Sequence, residues 1–189
     1  LSERGVALWG VHLRLGEETA EPPYLQDLAA RLGIVVEILD LRPEFAHLVV
    51  DYFVEQYFQG RTPNPCIRCN AVIKFGVLWD RVRAQGATHL ATGHYVQINP
   101  APDGNLGLFR GRDPAKDQSY FLCRVPRALL PHLLFPLGEL TKEEVRAQFR
   151  QLGLSSWAGC KESQDICFIP PGGYQEFLWT RRGWRSSPG

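Results

Sequence analysis

The amino-acid sequence predicts an α/β protein in which a parallel sheet is flanked by helices. Short segments of β-branched and aliphatic residues alternate with segments whose apolar residues recur every three or four positions. This alternation is typical of parallel sheets, because a return to a parallel strand needs a crossover that is usually helical. The 189 residues, 44% of them hydrophobic, are enough for one globular domain with a real core.

The first part of the chain supplies two strand–helix units. A nearly continuous apolar run predicts a buried strand at residues 6–13. Residues 24–32 carry apolar side chains at helical spacing and stop at Gly33, a typical C-cap. A β-branched strand follows at 34–41, and an amphipathic helix is predicted over 45–57.

The next segments place polar residues at the ends of strands. Two prolines are expected to hold residues 61–70 in a loop. A helix is predicted at 74–85 and a short strand at 89–92. Because the carboxyl ends of parallel strands share one edge of a sheet, residues 14–23, 61–70 and 93–95 are expected to converge there.

The second half of the chain predicts a hairpin and further helices. Residues 95–98 and 106–110 flank an Asp-Gly turn and are expected to pair as a β-hairpin. A helix is predicted at 118–130, and Thr141 fits a capping box that opens another helix at 142–152. The fold class is therefore α/β with a β-hairpin and a helical C-terminal extension.

Charge and cysteine content limit the possible functions. With 21 basic and 20 acidic residues, the net charge of +1 neither requires nor excludes a nucleic-acid partner. No signal peptide is visible, and no apolar run approaches the roughly 20 residues of a membrane span. A reducing cytoplasm is expected, where thiols are more often catalytic or metal-binding than disulfide-bonded. The five cysteines are Cys66, Cys69, Cys123, Cys160 and Cys167.

Cys66 and Cys69 form a C-x-x-C pair, which leaves redox, zinc and iron–sulfur interpretations open. Arg61, Arg68 and Lys74 lie nearby in the sequence. Because positive neighbours lower the pKa of a thiol, we expect a larger thiolate fraction and a nucleophile or ligand at this pair.

Three further positions are candidates for function, each with a structural alternative. His94, at the end of a predicted strand, could contact a ligand or serve the fold. Lys116, Asp117 and Gln118 suit contacts with phosphate and base, although Asp117 could simply cap a helix. Cys167 could be an ordinary buried thiol.

Taken in order, these segments closely resemble the bacterial and organellar tRNA-specific 2-thiouridylases, members of the PP-loop ATP-pyrophosphatase group. The resemblance runs across nearly the whole chain, and it rests on five motifs in the right order. They are TPNPCIRCN with IKF at 62–75, ATGHY at 91–95, KDQSYFL at 116–122, FPLG at 135–138 and ESQDICF at 162–168.

The resemblance implies an adenine-nucleotide alpha-hydrolase-like fold of the PP-loop type and an ATP-dependent reaction, with Mg²⁺, on tRNA. The enzyme would adenylate the 2-carbonyl oxygen of the wobble uridine. Sulfur from a persulfide, delivered by a sulfur-donor protein, would then displace AMP. The partners expected are thus tRNA and a persulfide carrier protein, and no membrane.

The same resemblance implies a role for each matching residue. Cys167 would carry the persulfide, and Cys69 would be the nucleophile that liberates its sulfur through a disulfide with Cys167. The remaining residues would bind substrates: Asn64, Pro65 and Cys66 at the target base, His94, Lys116, Asp117 and Gln118 at the tRNA, and Leu13 and Gly93 at the nucleotide.

Two parts of the family pattern are missing. The phosphate loop is expected before Gly5, and the C-terminal domains after Gly189. Residues 1–168 are therefore predicted to be a catalytic domain without its first strand and phosphate loop, and residues 169–189 the start of a tRNA-binding central domain. The chain would be a fragment, or a degenerate relative that keeps only the sulfur-handling half. Alone, it is expected to bind ATP and tRNA poorly.

Cys66 adds an alternative mechanism, because some family members have Asp at this position. Cys66, Cys69 and Cys167 could together hold an iron–sulfur cluster with one open site for sulfide. Two other interpretations stay open. One is a PP-loop enzyme that activates a carbonyl for attack by nitrogen, and the other is a non-catalytic metal- or RNA-binding module that uses the thiols structurally.

Overall fold

A computed structural model describes residues 5–16, 24–154, 166–170 and 173–182 of the chain. Its strands are β1 (Trp9–Arg14), β2 (Val35–Asp40), β3 (Leu90–Ala91), β4 (Val96–Pro100), β5 (Leu106–Arg110) and β6 (Leu133–Leu134). Its α-helices are α1 (Tyr24–Leu32), α2 (Arg42–Phe45), α3 (Asp51–Phe58), α4 (Pro65–Cys69), α5 (Trp79–Ala84), α6 (Lys142–Gln151) and α7 (Tyr174–Arg182). The π-helical segments Ala46–Val50 and Asn70–Leu78 join α2 to α3 and α4 to α5.

The strands pair as the alternation predicts, but in two pieces. Strand β1 runs parallel to β2, with Trp9 opposite Val35 and Arg14 opposite Asp40. Strand β3 runs parallel to β6, a two-residue strand that the sequence did not predict. Within the described residues these are two separate parallel pairs. Each of β1 and β3 keeps one edge without a partner strand there.

The prediction of a loop at 61–70 was wrong for its second half. The prolines do not exclude a helix here, because Pro65 occupies the first turn of α4, where a helix tolerates proline. Asn64 is the N-cap, and its Oδ1 accepts a hydrogen bond of 3.1 Å from the backbone N–H of Ile67. From Pro65 onward the chain stays helical through Ala84.

The prediction of one helix at 118–130 was also wrong. Two short 3₁₀ helices, Ser119–Leu122 and Arg127–His132, occupy this region instead. Pro126 and Pro131 have no N–H and cannot continue an α-helix, which accounts for the interruption.

Other local predictions were confirmed. Strands β4 and β5 form the antiparallel hairpin, with Val96 opposite Arg110. The capping box at α6 is present, since Glu144 N–H donates to the Thr141 hydroxyl and Thr141 N–H to the Glu144 carboxylate. Gly138 lies so close to β4 that a Cβ there would overlap the carbonyl oxygen of Val96, which explains why the FPLG segment has glycine at this position.

Two apolar clusters form the core of the part of the chain that the structure describes. The larger one gathers β2, the helical stretch after it and the second long helical stretch: Leu39, Leu41, Phe45, Val49, Val50, Ile73, Leu78, Trp79 and Val82. The smaller one underlies the hairpin: Phe75, Val96, Leu122, Val125, Leu130 and Leu133. Leu90 and Leu129 pack against both clusters and so join them.

Residues near the C-terminal end pack on the larger cluster. Phe168 and Phe177, the latter in α7, both contact it. The ring of Phe168 lies edge-on to Phe53 and Phe45, with centroid distances of 5.3 and 5.7 Å. None of the described helices is long and apolar enough to cross a bilayer.

Candidate functional site

A cavity of about 1060 Å³ lies beside strands β1 and β3. Residues of β1 form one wall, and the segment from Gly86 to His94 forms the facing wall. Leu13 and Gly93, the two positions expected to bind nucleotide, both line it. His94, Gln118 and Lys74 lie in the same lining. Most of the residues that line the cavity are apolar, with a few polar residues among them.

Helix α4 carries Cys66 and Cys69 three positions apart, so both side chains lie on one side of the helix. The position of Cys167 is set by its neighbour Phe168, whose ring packs against Phe53 in α3, the helix that precedes α4. The charge of a Cys66 thiolate acts on both Cys69 and Cys167, and that of Cys167 acts on Cys69. Folding therefore brings these three thiols within electrostatic range of one another.

The expectation of low thiol pKa values was wrong. Burial raises the pKa of Cys69 to about 11, against a smaller opposing effect of Lys74. Burial likewise raises the pKa values of Cys66 and Cys167, although both keep exposed surface. At neutral pH all three groups are therefore mainly protonated thiols.

Two of the three expected positive neighbours turn away from the thiols. Arg68 donates from Nε to the carbonyl oxygen of Leu48 at 3.0 Å, and its guanidinium lies 4.8 Å from the ring centroid of Tyr52. Arg61 donates to the side chain of Gln56 at 3.2 Å. Proximity in the sequence thus does not place these two arginines beside the thiols: Arg68 lies on α4 between the two cysteines, where successive side chains point in different directions, and Arg61 precedes that helix.

Lys74 links the thiols to the cavity. It lies half-buried in the π-helical segment that follows α4. Its charge lowers the pKa values of Cys66, Cys69 and Cys167, and it also lines the cavity. The sequence analysis treated Lys74 only as a neighbour of the C-x-x-C pair. Its role as a link was hidden because residues 61–70 were predicted as a loop.

His94 is buried, with 8% of its surface exposed. Its Nδ1 shares a hydrogen bond of 2.7 Å with the hydroxyl of Thr92, and its ring lies 6.0 Å from the rings of both Phe75 and Phe135. Burial, with a smaller effect of Lys74, lowers the pKa of His94 to about 4. The imidazole is therefore neutral at pH 7 and is not a cation for phosphate.

The Lys-Asp-Gln segment is tied into the fold. Asp117 accepts hydrogen bonds from the N–H groups of Gly111 and Ser119 and from the Ser119 hydroxyl. Burial opposes its ionisation, but these bonds leave the pKa of Asp117 below its ordinary value. Gln118 accepts from the backbone N–H of Tyr95 at 3.0 Å.

A hydrogen bond also joins this segment to the helix of the C-x-x-C pair. Asn70 Nδ2 donates to the carbonyl oxygen of Phe121 at 3.2 Å. The side chain of Asn70 is buried, so this bond holds the 3₁₀ helix Ser119–Leu122 against the end of α4. The segment that directly follows residues 116–118 therefore lies against the end of α4.

Possible metal-binding groups can be sought only among the described side chains. Among residues 5–16, 24–154, 166–170 and 173–182, no three His, Cys, Asp or Glu side chains are arranged to hold a metal ion. Cys160, and most of the ESQDICF motif, lie outside these residues.

Comparisons with known proteins agree with the motif series. The family model of the tRNA methyl transferase HUP domain matches residues 6–171. A protein named tRNA-specific 2-thiouridylase MnmA from Nitratidesulfovibrio vulgaris is 44% identical over 197 residues, covering 100% of this chain and 56% of the relative.

Two other relatives carry the same name. The one from Carboxydothermus hydrogenoformans is 47% identical over 163 residues, covering 86% of this chain and 44% of the relative. The one from Acidithiobacillus ferrooxidans is 47% identical over 180 residues, covering 93% and 51%. The chain spans about half the length of these relatives. The predicted α/β fold class and the resemblance are both confirmed, and the chain belongs to the tRNA methyl transferase HUP-domain family, with 2-thiouridylases as its relatives.

Proposed function

We propose that this chain is the sulfur-handling part of a tRNA uridine 2-sulfurtransferase, which uses ATP to thiolate the wobble uridine of tRNA. The observation that carries the proposal is that three thiols lie within electrostatic range of one another and of Lys74, which lines the same cavity as Leu13 and Gly93. The names of the relatives support tRNA as the substrate.

The first step activates a poor leaving group. The 2-carbonyl oxygen of the uridine attacks the α-phosphorus of ATP, pyrophosphate leaves, and an O-adenylated uridine results. Leu13 and Gly93 are proposed to bind the adenosine part, and Mg²⁺ would accompany the ATP. The main contribution of the protein here is to hold the base and the nucleotide in line.

The second step transfers sulfur. The terminal sulfur of a Cys167 persulfide attacks C2, a C–S bond forms, and the C–O bond breaks with its electron pair leaving on AMP. The Cys69 thiolate then attacks Sγ of Cys167, which breaks the bond to the transferred sulfur and leaves it as the 2-thio group. A disulfide between Cys69 and Cys167 forms, and a cellular dithiol must reduce it. A persulfide carrier protein is the proposed source of sulfur.

The raised pKa of Cys69, about 11, fits a late role for this thiol. A protonated thiol is a poor nucleophile, so Cys69 does not attack the persulfide before substrate arrives. The Cys69 thiol must lose its proton before it attacks Sγ of Cys167.

The RNA contacts are proposed around the same helix. Asn64, Pro65 and Cys66, at the start of α4, would border the target base once it has left its stack. His94, Lys116, Asp117 and Gln118 would contact the tRNA. Gln118 would use its side-chain amide nitrogen for this contact, because its amide oxygen accepts a hydrogen bond from the backbone N–H of Tyr95.

The domain division stays a proposal as well. Residues 1–168 would form the catalytic domain, and residues 169–189 would begin a central tRNA-binding domain. A reducing cytoplasm remains the proposed setting, since the thiols must stay available for exchange.

A second candidate is cluster chemistry at Cys66, Cys69 and Cys167. The mutual proximity of these thiols favours it, but the described side chains do not form a metal-binding arrangement. Persulfide chemistry is therefore the preferred mechanism. Anaerobic purification with iron and sulfide analysis separates the two, because colourless, iron-free protein that still thiolates tRNA has no need of a cluster.

The activity is tested by serine substitution in the full-length protein. Cys69→Ser and Cys167→Ser should each abolish 2-thiouridine formation on unmodified tRNA, measured by mass spectrometry of nucleosides, while circular dichroism stays unchanged. Cys123→Ser is the matched control, since Cys123 is an exposed thiol outside the proposed site, and it should keep activity. Full activity in both Cys69→Ser and Cys167→Ser would favour an enzyme that adenylates for nitrogen attack. Loss of folding in them would favour a structural role for the thiols.

A further inference from the structure

Lys74 is the only lysine or arginine in the described lining of the cavity. The same side chain lies within electrostatic range of the thiols of Cys66, Cys69 and Cys167 and of the imidazole of His94. One cation is therefore placed where the cavity meets the thiols.

Within the part of the chain that the structure describes, the charge of Lys74 has no counter-ion. Several arginines have carboxylate partners, such as Arg42 with Asp40 and Arg112 with Glu144. The side chain of Lys74, although the residue is half-buried, makes no hydrogen bond or ion pair with any residue that the structure describes. Among the described residues, the titratable groups whose pKa values respond to its charge are the three thiols and His94, and all of these are mainly neutral at pH 7. A partly buried charge is costly without a partner, and a bound anion at this position would lower that cost.

The position of Lys74 between the cavity and the thiols indicates which anion could bind there. An adenylated base has one phosphate, with adenosine on one side and the reacting carbon on the other. Adenosine is proposed to lie in the cavity beside Leu13 and Gly93, and the reacting carbon must reach the thiols. The phosphate between them then falls at the junction where Lys74 lies.

We propose that Lys74 binds the phosphate of the adenylated substrate and of the AMP that leaves it, an inference that rests on the proposed function. When the C–O bond breaks, its electron pair moves onto the phosphate oxygen. The ammonium group of Lys74 then faces an increasing negative charge and stabilises the leaving group more than the ground state.

The test compares the binding of AMP and adenosine to the full-length protein by isothermal titration calorimetry. Lys74→Met should weaken AMP binding by about ten- to a hundredfold, the range expected for one lost charge-assisted hydrogen bond, and leave adenosine binding unchanged. Lys74→Arg keeps the charge and should retain most of the preference for AMP. Arg83→Met, an exposed position on α5 outside the cavity lining, should behave like the wild type.

The possible outcomes separate this inference from the proposed function. If Lys74→Met keeps the wild-type preference for AMP over adenosine, the phosphate contact is wrong while the nucleotide site stands. If the wild type binds neither compound, the nucleotide site itself fails, and the inference falls with it. Should Lys74→Met unfold, Lys74→Gln is the second variant. If neither neutral variant folds and Lys74→Arg does not prefer AMP, Lys74 serves the fold and the inference is overturned.

Discussion

Phe168 packs edge-to-face against Phe53, with ring centroids 5.3 Å apart, and this contact holds the neighbouring Cys167 close to the helix of the C-x-x-C pair. Cys69 and Cys167 lie far apart in the sequence, so no local interaction can bring them together. The aromatic contact supplies the long-range anchor, supported by Phe45 at 5.7 Å on the same ring.

Substitution of Phe168 should slow the pairing of Cys69 and Cys167 while the protein stays folded. Phe168 is partly buried, so Phe168→Ala should cost about 2 kcal/mol of stability, below the 3–5 kcal/mol of a fully buried ring. In that variant a mild oxidant such as diamide should form the disulfide between Cys69 and Cys167 several-fold more slowly. Peptide mapping by mass spectrometry measures the rate. Phe168→Leu, which keeps apolar volume, is the control, and an unchanged rate in Phe168→Ala would show that the aromatic contact does not position Cys167.

Stability should depend on pH through His94. Its pKa is about 4 in the folded protein, against 6.5 as the ordinary value, so between these limits the unfolded state binds the extra proton. The free energy of unfolding should therefore fall as the pH decreases from about 7 to about 4, by up to about 3 kcal/mol from this group.

Urea denaturation at a series of pH values measures this dependence. His94→Asn removes the titrating group and should flatten the curve in that range. His47→Asn, an exposed histidine on the helical stretch after β2, is the control and should leave the slope as in the wild type. A wild-type stability that does not change between pH 7 and pH 4 would contradict the buried, neutral state of His94.

The strands and long amphipathic helices could be predicted because their patterns are local. Strand β2 is a β-branched run, and the stretch that begins at Arg42 repeats its apolar residues at helical spacing. Strand β6 could not be predicted in this way, since a two-residue strand has no period and exists only through its pairing with β3.

The candidate site also depends on tertiary packing that local sequence patterns do not reveal. The thiols could be singled out as residues, but their raised pKa values come from burial, which depends on tertiary packing. Because Pro65 was predicted to lie in a loop, the sequence did not indicate the helix that connects the C-x-x-C pair to Lys74. Proline alone does not distinguish a loop from the first turn of a helix, because it is common in both. The N-cap residue before it provides the distinction.

Asn64 combines a structural role with the proposed contact to the target base, and two substitutions separate them. Asn64→Ala removes the N-cap of α4 and should cost about 1 kcal/mol, measured by urea denaturation. Asn64→Asp keeps an oxygen acceptor for the Ile67 N–H and should preserve stability within about 0.5 kcal/mol. Reduced thiolation in a stable Asn64→Asp variant would support the base contact. Full activity in that variant would limit Asn64 to capping.

The reactivity of Cys69 should reveal its desolvation. Because its pKa is about 11, alkylation by iodoacetamide should keep accelerating, by nearly tenfold per pH unit, between about pH 8 and pH 10. In urea-unfolded protein the same thiol should level off near its ordinary value. Peptide-level mass spectrometry reports Cys69 separately from the other cysteines. Lys74→Met should slow the reaction further at each pH, because Lys74 lowers this pKa. A rate in the folded protein that levels off near pH 9 would mean that water reaches the Cys69 thiol as freely as in the unfolded chain.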